Sequence, residues 1–252
     1  MFPGATRKDE IGDLARALGE LSRRTNDHIE LLQSFSADVS HELKNPLASI
    51  RTAAEMMADA DDPRERARFR DLMVRDVARL ERLVSGLRDV ARVEGQIEAD
   101  LTEPVALQPL LAEIAAAANT VAPHDVHIHL VSSAPDLRVL ASRDRLAQVV
   151  DNLLMNAASF SPPGSQVTIT LRESNRRAVI SVDDTGPGIP EAHLERIFAR
   201  FFTYRPDDPR REHVGLGLAI ARQIVESYGG TIRAANRPEG GARFEVVLPG
   251  IP

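Results

Sequence analysis

The sequence predicts two kinds of module in one chain: an antiparallel helical hairpin that dimerises into a four-helix bundle, followed by an α+β layer domain. Three observations lead there. An apolar seam steps by threes and fours from Leu14, a second such stripe follows an Asp-Asp-Pro turn at 61–63, and beyond Pro104 the chain changes to short segments of both periods. The composition permits this reading, since 252 residues with 43% apolar side chains supply two cores rather than one. A net charge of -6 with acids and bases intermixed gives no basic stripe to track phosphates, so direct nucleic-acid binding is not expected. Without cysteine, disulfide frames and zinc-thiolate sites are excluded, and the histidines form no His-Glu-x-x-His pair. No run of about 18 apolar residues occurs. The chain as given is therefore expected to be soluble, with any membrane attachment left to a preceding segment.

The first helix is read from Leu14, Leu18, Leu21, Thr25, His28, Leu32, Phe35 and Val39, whose alternating spacing is the seam of a left-handed coiled coil. The series continues through Leu43, Leu47, Ile50, Ala54 and Met57, and its run of fours disturbs the heptad phase near position 41. Local unwinding is expected there. Asp62 suits an N-cap, Pro63 the first helical position and Glu65 the reciprocal capping-box site, so a second helix starts after a short turn. Its stripe is Phe69, Met73, Val77, Leu80, Val84, Leu87 and Val90. A lone hairpin would leave one of its two stripes in water, so a second copy of the chain is the economical partner. Gly95 and Pro104 bracket an expected linker.

Beyond it, strands are predicted at 126–131, 138–141, 166–172, 178–183, 231–235 and 243–248, and helices at 110–118, 143–158 and 216–227. Leu146, Val149, Val150, Leu153, Leu154 and Ala157 form one face of the middle helix. The result is a mixed sheet with helices on one side.

The first chemical constellation is Ser40-His41-Glu42-Leu43-Lys44-Asn45-Pro46-Leu47. On a helix His41 lies about 200° from both Val39 and Leu43, so its imidazole faces away from the seam. Glu42 is adjacent, and Lys44 and Asn45 follow one turn on. A carboxylate at one ring nitrogen fixes the tautomer and accepts its proton, leaving the other nitrogen as a nucleophile for an in-line attack on phosphorus. Pro46 cannot donate to the carbonyl of Glu42, so the helix is expected to bend just after the histidine. A lone surface histidine ordinarily has no task, and on the residues alone that reading stays open.

The second constellation is spread over four segments. Asn152 and Asn156 stand one turn apart on the polar face of a core helix, and carboxamide oxygens suit Mg²⁺. Asp184-Thr185-Gly186-Pro187-Gly188 closes a strand, where a carboxylate can accept the exocyclic amine of adenine and glycines allow close backbone approach. Ile197-Phe198-Ala199-Arg200-Phe201-Phe202 follows, and then Gly215-Leu216-Gly217-Leu218 opens a helix whose N–H groups can face phosphate. The charged, proline-rich stretch 203–213 between the last two reads as a lid. Its arginines either keep a loop solvated, or Arg200, Arg205 or Arg211 meets phosphoryl charge.

The heptapeptide from His41 to Leu47 resembles the H-box of the commonest histidine kinase dimerisation domain at every position. The four later segments resemble, in order, the N, G1, F and G2 boxes of the histidine kinase ATP-binding domain, a Bergerat (GHKL) α/β sandwich shared with gyrase, Hsp90 and MutL. The resemblance implies a sensor histidine kinase of a two-component system, using ATP and Mg²⁺ and passing phosphate to an aspartate on a response-regulator receiver domain. It makes His41 the phosphoacceptor, Glu42 its acid/base partner and Asn45 a residue that positions water in a phosphatase reaction. It assigns Asn152 and Asn156 to Mg²⁺ and phosphates, Asp184 to adenine, Gly186 and Gly188 to the pocket floor, and Arg200, Gly215, Leu216, Gly217 and Leu218 to the nucleotide.

Residues 9–14, Asp-Glu-Ile-Gly-Asp-Leu, resemble the start of the second helix of a HAMP relay module. That implies a HAMP-derived helix over 1–30, a dimerisation and phosphotransfer domain over 31–97 and a catalytic ATP-binding domain over 98–252. It also implies a lost membrane span and a position on the cytoplasmic side of a bacterial inner membrane. The pattern departs at Ser159-Phe160, where a basic residue and an aromatic are common, at His213 in place of a glycine, and at Thr203 in place of an arginine. Gyrase-like relatives carry a water-activating glutamate where this chain has Asn152, a group without useful basicity.

Overall fold

The computed structural model describes residues 10–96, 102–121, 125–204 and 214–251. The chain divides into two compact units, 1–81 and 82–252, and helix α2 runs across the division.

The first unit holds α1, Glu10–Asp59, and the start of α2, Pro63–Gln96. The turn between them forms as its residues dictate: Asp62 Oδ1 accepts the backbone N–H of Arg64 at 2.9 Å, and the Asp62 carbonyl accepts that of Arg66 at 3.1 Å. Arg66 Nε closes the end of α1 by donating to the carbonyl of Ala60 at 2.8 Å. The expected disturbance near position 41 does not break α1, which stays helical through Pro46. The hydroxyl of Ser40 donates to the carbonyl of Ser36 one turn back. Among the described side chains of α1 only Pro46 and Ala53 are buried, with Ala60 buried just beyond its end, and the expected seam residues Leu47 and Ala54 are exposed in the single chain. The HAMP-like hexapeptide begins outside the described residues at Asp9, and apart from Asp13 its side chains lie outside them too.

The second unit is a sheet of seven strands ordered β1-β3-β7-β5-β4-β2, with β6 on β7. In chain order these are β1 (Glu103–Ala106), β2 (His127–Ser132), β3 (Arg138–Ala141), β4 (Gln166–Ser174), β5 (Arg177–Asp183), β6 (Thr231–Asn236) and β7 (Ala242–Ile251). All pairs are antiparallel except β2 with β4. Helices α3 (Leu107–Val121), α4 (Arg143–Phe160) and α5 (Gly217–Ser227) pack beside one another along it. The expected face of α4 is the face that is buried, with Leu153 and Ala157 fully so. Strand β5 lies at the centre of the core with Ala178 to Asp183 all buried. Strand β1 corrects the expected linker: Pro104 belongs to it, opposite Leu140 of β3, and α3 starts three residues before the predicted 110. Proline fits there because β1 is the edge of the sheet.

Candidate nucleotide and phosphoacceptor sites

Strand β5 ends at Asp183, and the chain turns through Asp184 to Ile189. The two aspartates take different roles because successive side chains leave a strand on opposite faces. Asp183 is spent on Arg243 directly across on β7, accepting from Nε and Nη2 at 2.6 Å each. Asp184 is 3% exposed, and one of its oxygens is also occupied: Oδ1 accepts the N–H of Gly186 at 2.8 Å and of Ala242 at 2.9 Å. Its Oδ2 makes no hydrogen bond among the described residues. Burial pushes the Asp184 carboxyl above the usual carboxylate range, while the N–H groups of Ala242 and Gly186 and the Arg237 guanidinium pull it back. The result is a fixed acceptor with one oxygen left for a ligand's N–H.

The glycines here are required by their surroundings. A Cβ on Gly186 would lie 2.8 Å from the carbonyl oxygen of Phe160, and Gly188 has φ +79°. Further along, Phe198 is buried in an edge-to-face contact with Phe244 of β7, and the Arg222 guanidinium of α5 lies over the Phe198 ring. Phe202 carries Arg196 over its ring and His193 beside it. The Ile-Phe-Ala-Arg-Phe-Phe segment is thus an anchor, with Arg200 half-buried within it. Phe201 adopts a left-handed φ of 60° and donates its N–H to the carbonyl of Gly215 at 2.9 Å. Gly215, at φ +75°, has no room for a Cβ, which would sit 2.6 Å from the Phe202 carbonyl. This pairing brings together the two ends of the segment that carries the predicted lid. Arg205, Arg211 and His213 of that segment lie outside the described residues, and Thr203 is exposed.

Leu216 is the buried N-cap of α5, Gly217 is its first residue, and Leu218 is half-buried in the first turn. Gly217 meets Asn152 of α4: its missing Cβ would be 3.0 Å from Asn152 Oδ1. Asn152 Nδ2 is buried without a partner among the described residues. An orphaned donor beside a helix N-terminus suits a phosphate oxygen, and the carboxamide oxygens of Asn152 and Asn156 are the hard donors that Mg²⁺ takes, so the residues present fit both groups. Among the described residues no group of three or more His, Asp or Glu side chains makes a metal site of another kind. Ser159 turns its hydroxyl to the Asn156 carbonyl at 2.7 Å.

His41, Glu42 and Asn45 form a group of their own on α1. The His41 and Asn45 side chains are exposed, and Glu42 is half-buried. Glu42 accepts from Nη2 of Arg79 on α2 at 2.8 Å. Arg79 Nε and Asp76 Oδ2 are buried nearby in sequence without partners among the described residues, so the hairpin has a polar layer on α2 at this pair. Arg79 escapes a sequence reading because its partner is 37 residues away.

Three more residues were not legible in the sequence. Asn236, Arg237 and Gly241, at the β6–β7 turn, reach back to the Asp184–Ile189 loop. The turn's Gly-Gly pair at 240–241 was the available signal, but it names a turn and not what the turn touches.

Comparison with known proteins gives two family matches. Residues 31–96 match the His Kinase A (phospho-acceptor) domain, and residues 141–251 match the histidine kinase-, DNA gyrase B- and HSP90-like ATPase family. The sensor protein ChvG of Rhizobium meliloti (strain 1021) is 37% identical over 98% of this chain and 45% of its own length. The mycobacterial sensor histidine kinase MprB is 30% identical in a solved structure, with a TM-score of 0.53 over 60% of this chain and 99% of that one. The histidine kinase ThkA, solved in complex with the response regulator TrrA, is 27% identical with a TM-score of 0.73 over 91% of this chain and 65% of that one. The chain spans about half the length of the full-length relatives it matches.

Proposed function

The chain belongs to the sensor histidine kinases of two-component systems, and from that membership we propose that it moves the terminal phosphoryl group of ATP to His41 and then to an aspartate of a receiver domain. The observation that carries the reading is the carboxylate of Asp184, buried, fixed through one oxygen and open at the other, a recognition element for the adenine amine. The imidazole of His41 is exposed on its helix and supplies the nucleophile. Its ring nitrogen forms the new bond to the γ-phosphorus, the bond to the bridging oxygen breaks, ADP leaves, and the imidazole proton passes to Glu42. Asn152 stands where a hydrolysing machine would need a base, which favours histidine over water as the acceptor.

Bound Mg²⁺ neutralises charge on the phosphates. Asn152 and Asn156 hold it, Gly186 and Gly188 admit the purine, and Arg200 with Gly215 to Leu218 faces the phosphates. Asn45 with Glu42 supports dephosphorylation of the partner regulator. The hairpin pairs with a second copy, a role suggested by Leu47, Met56, Val74 and Val77, which are 45% to 63% exposed in the single chain. We assign residues 1–30 to a HAMP-derived helix, 31–97 to the phosphotransfer domain and 98–252 to the ATP-binding domain. No helix among the described residues is long and apolar enough to cross a membrane. A preceding segment would anchor the chain on the cytoplasmic side.

The test is incubation of the chain with γ-labelled ATP and Mg²⁺. Acid-labile, alkali-stable label is expected on the protein and none on His41→Ala. Consumption of ATP with no labelled protein would turn the reading into a hydrolase.

A further inference from the structure

The β6–β7 turn and the first residue of β7 supply five hydrogen bonds to the segment from Asp184 to Ile189, and none of their residues belongs to a segment read as nucleotide-binding from the sequence. Asn236 Oδ1 accepts the N–H of Ile189 at 2.7 Å, and Asn236 Nδ2 donates to the Ile189 carbonyl, also at 2.7 Å. One carboxamide thereby satisfies both main-chain groups of a residue 47 positions away, as an adjacent strand would. Arg237 Nη1 donates to the Asp184 carbonyl at 2.7 Å, and Ala242 N–H donates to Asp184 Oδ1. Close packing reinforces the bonds. A Cβ on Gly188 would lie 2.9 Å from Asn236 Oδ1, and one on Gly241 would lie 2.1 Å from the Asp184 carbonyl oxygen.

We infer that Asn236 is a positioning residue for nucleotide affinity: its carboxamide holds the Gly188–Ile189 backbone in the conformation that leaves the purine site open beside Asp184. The inference rests on the nucleotide reading of Asp184. Without the clamp, Gly188 regains the broad freedom of glycine, and ligand binding has to order the loop that Asn236 now holds in advance. Asn236 is itself exposed and lies at the end of an outer strand, so removing it opens no cavity in the core. Its loss therefore acts on binding far more than on folding. Asn236→Asp keeps the acceptor for Ile189 N–H but sets a carboxylate against the Ile189 carbonyl, so it does not restore the clamp.

The experiment uses the full chain and ADP with Mg²⁺, measured by titration calorimetry, alongside ATP-dependent labelling of the protein. Asn236→Ala is expected to weaken ADP about tenfold, the worth of two neutral hydrogen bonds. KM for ATP is expected to rise by a similar factor, with kcat within about twofold, and Asn236→Asp to behave like Asn236→Ala. The ligand-free melting temperature should stay near that of the parent chain. ADP affinity equal to the parent in Asn236→Ala, or a lowered melting temperature with affinity unchanged, overturns the inference and assigns Asn236 to stability alone. Failure of the parent chain itself to bind ADP would instead overturn the nucleotide reading of Asp184.

Discussion

The helical hairpin and the sheet unit solve the burial problem differently. In the sheet unit a single chain closes its own core: Val167, Ile169, Leu171 and Val182 are fully buried, and β5 is covered on both faces. In the hairpin Leu47, Val74 and Val77 remain exposed, and the buried side chains described on α1 are only Pro46 and Ala53. Buried polar atoms without partners among the described residues occur in both units, at Asp76 and Arg79 of the hairpin and at Asn152, His193 and Arg237 of the sheet unit, where two backbone N–H groups nevertheless fix Asp184. One unit closes its own core; the other presents apolar surface that association would cover.

The largest expected effect separates binding from folding in the sheet unit. Asp184→Asn keeps an oxygen for the N–H groups of Gly186 and Ala242 but turns an N–H donor toward the ligand. Nucleotide affinity should fall by about 100-fold or more, since an acceptor for the adenine amine becomes a donor facing it. Stability should move the other way. A carboxyl whose proton is held more tightly folded than unfolded stabilises the fold on the acid side, and that contribution is lost as pH rises through the folded pKa. Burial raises Asp184 in this sense, so at neutral pH the carboxylate costs stability that asparagine does not. Thermal melts at pH 5 and pH 8 should show the gain of Asp184→Asn at the higher pH; a variant that melts earlier at pH 8 would contradict this.

Next in size is Gly241→Ala. At φ +85° and with its new Cβ 2.1 Å from the Asp184 carbonyl oxygen, it should destabilise the sheet unit by about 3 kcal/mol. Denaturant curves that follow the sheet and the hairpin separately would show whether the hairpin transition stays in place. A third and smaller change probes the open unit. Val77→Asp adds charge to an exposed apolar position and should weaken self-association about tenfold, with ADP affinity unchanged. Sedimentation equilibrium reads the first and calorimetry the second; a dimer indifferent to this substitution would move the interface away from Val77.

Legibility in the sequence follows the range of the interactions involved. The turn at Asp62 and Pro63 and the buried face of α4 were readable because each is governed by neighbours within about one helical turn. Asp184, Gly186, Gly188, Gly215 and Gly217 were also readable as candidates, since they lie in short motifs. Strand β1 was not, because four residues that include a proline carry too weak a period to distinguish an edge strand from a linker. The exposure of Leu47 and Ala54 in the single chain was not legible as such, because a bundle helix has two apolar faces, and period alone does not say which one meets its own hairpin and which is left for a partner helix. Asn236, Arg237 and Arg79 were invisible for a further reason: each acts on a residue at least 37 positions distant. Only the pairing of strands and helices brings those partners together.

The most direct measurement is site mapping of the phosphoryl group by mass spectrometry, on the chain digested under alkaline conditions after exposure to ATP and Mg²⁺. The account predicts modification on the peptide containing His41, fragment ions that place it on the imidazole, and its disappearance when a cognate receiver domain is added. Phosphate on another of the histidines, or on a serine or threonine, with His41 unmodified, would contradict it.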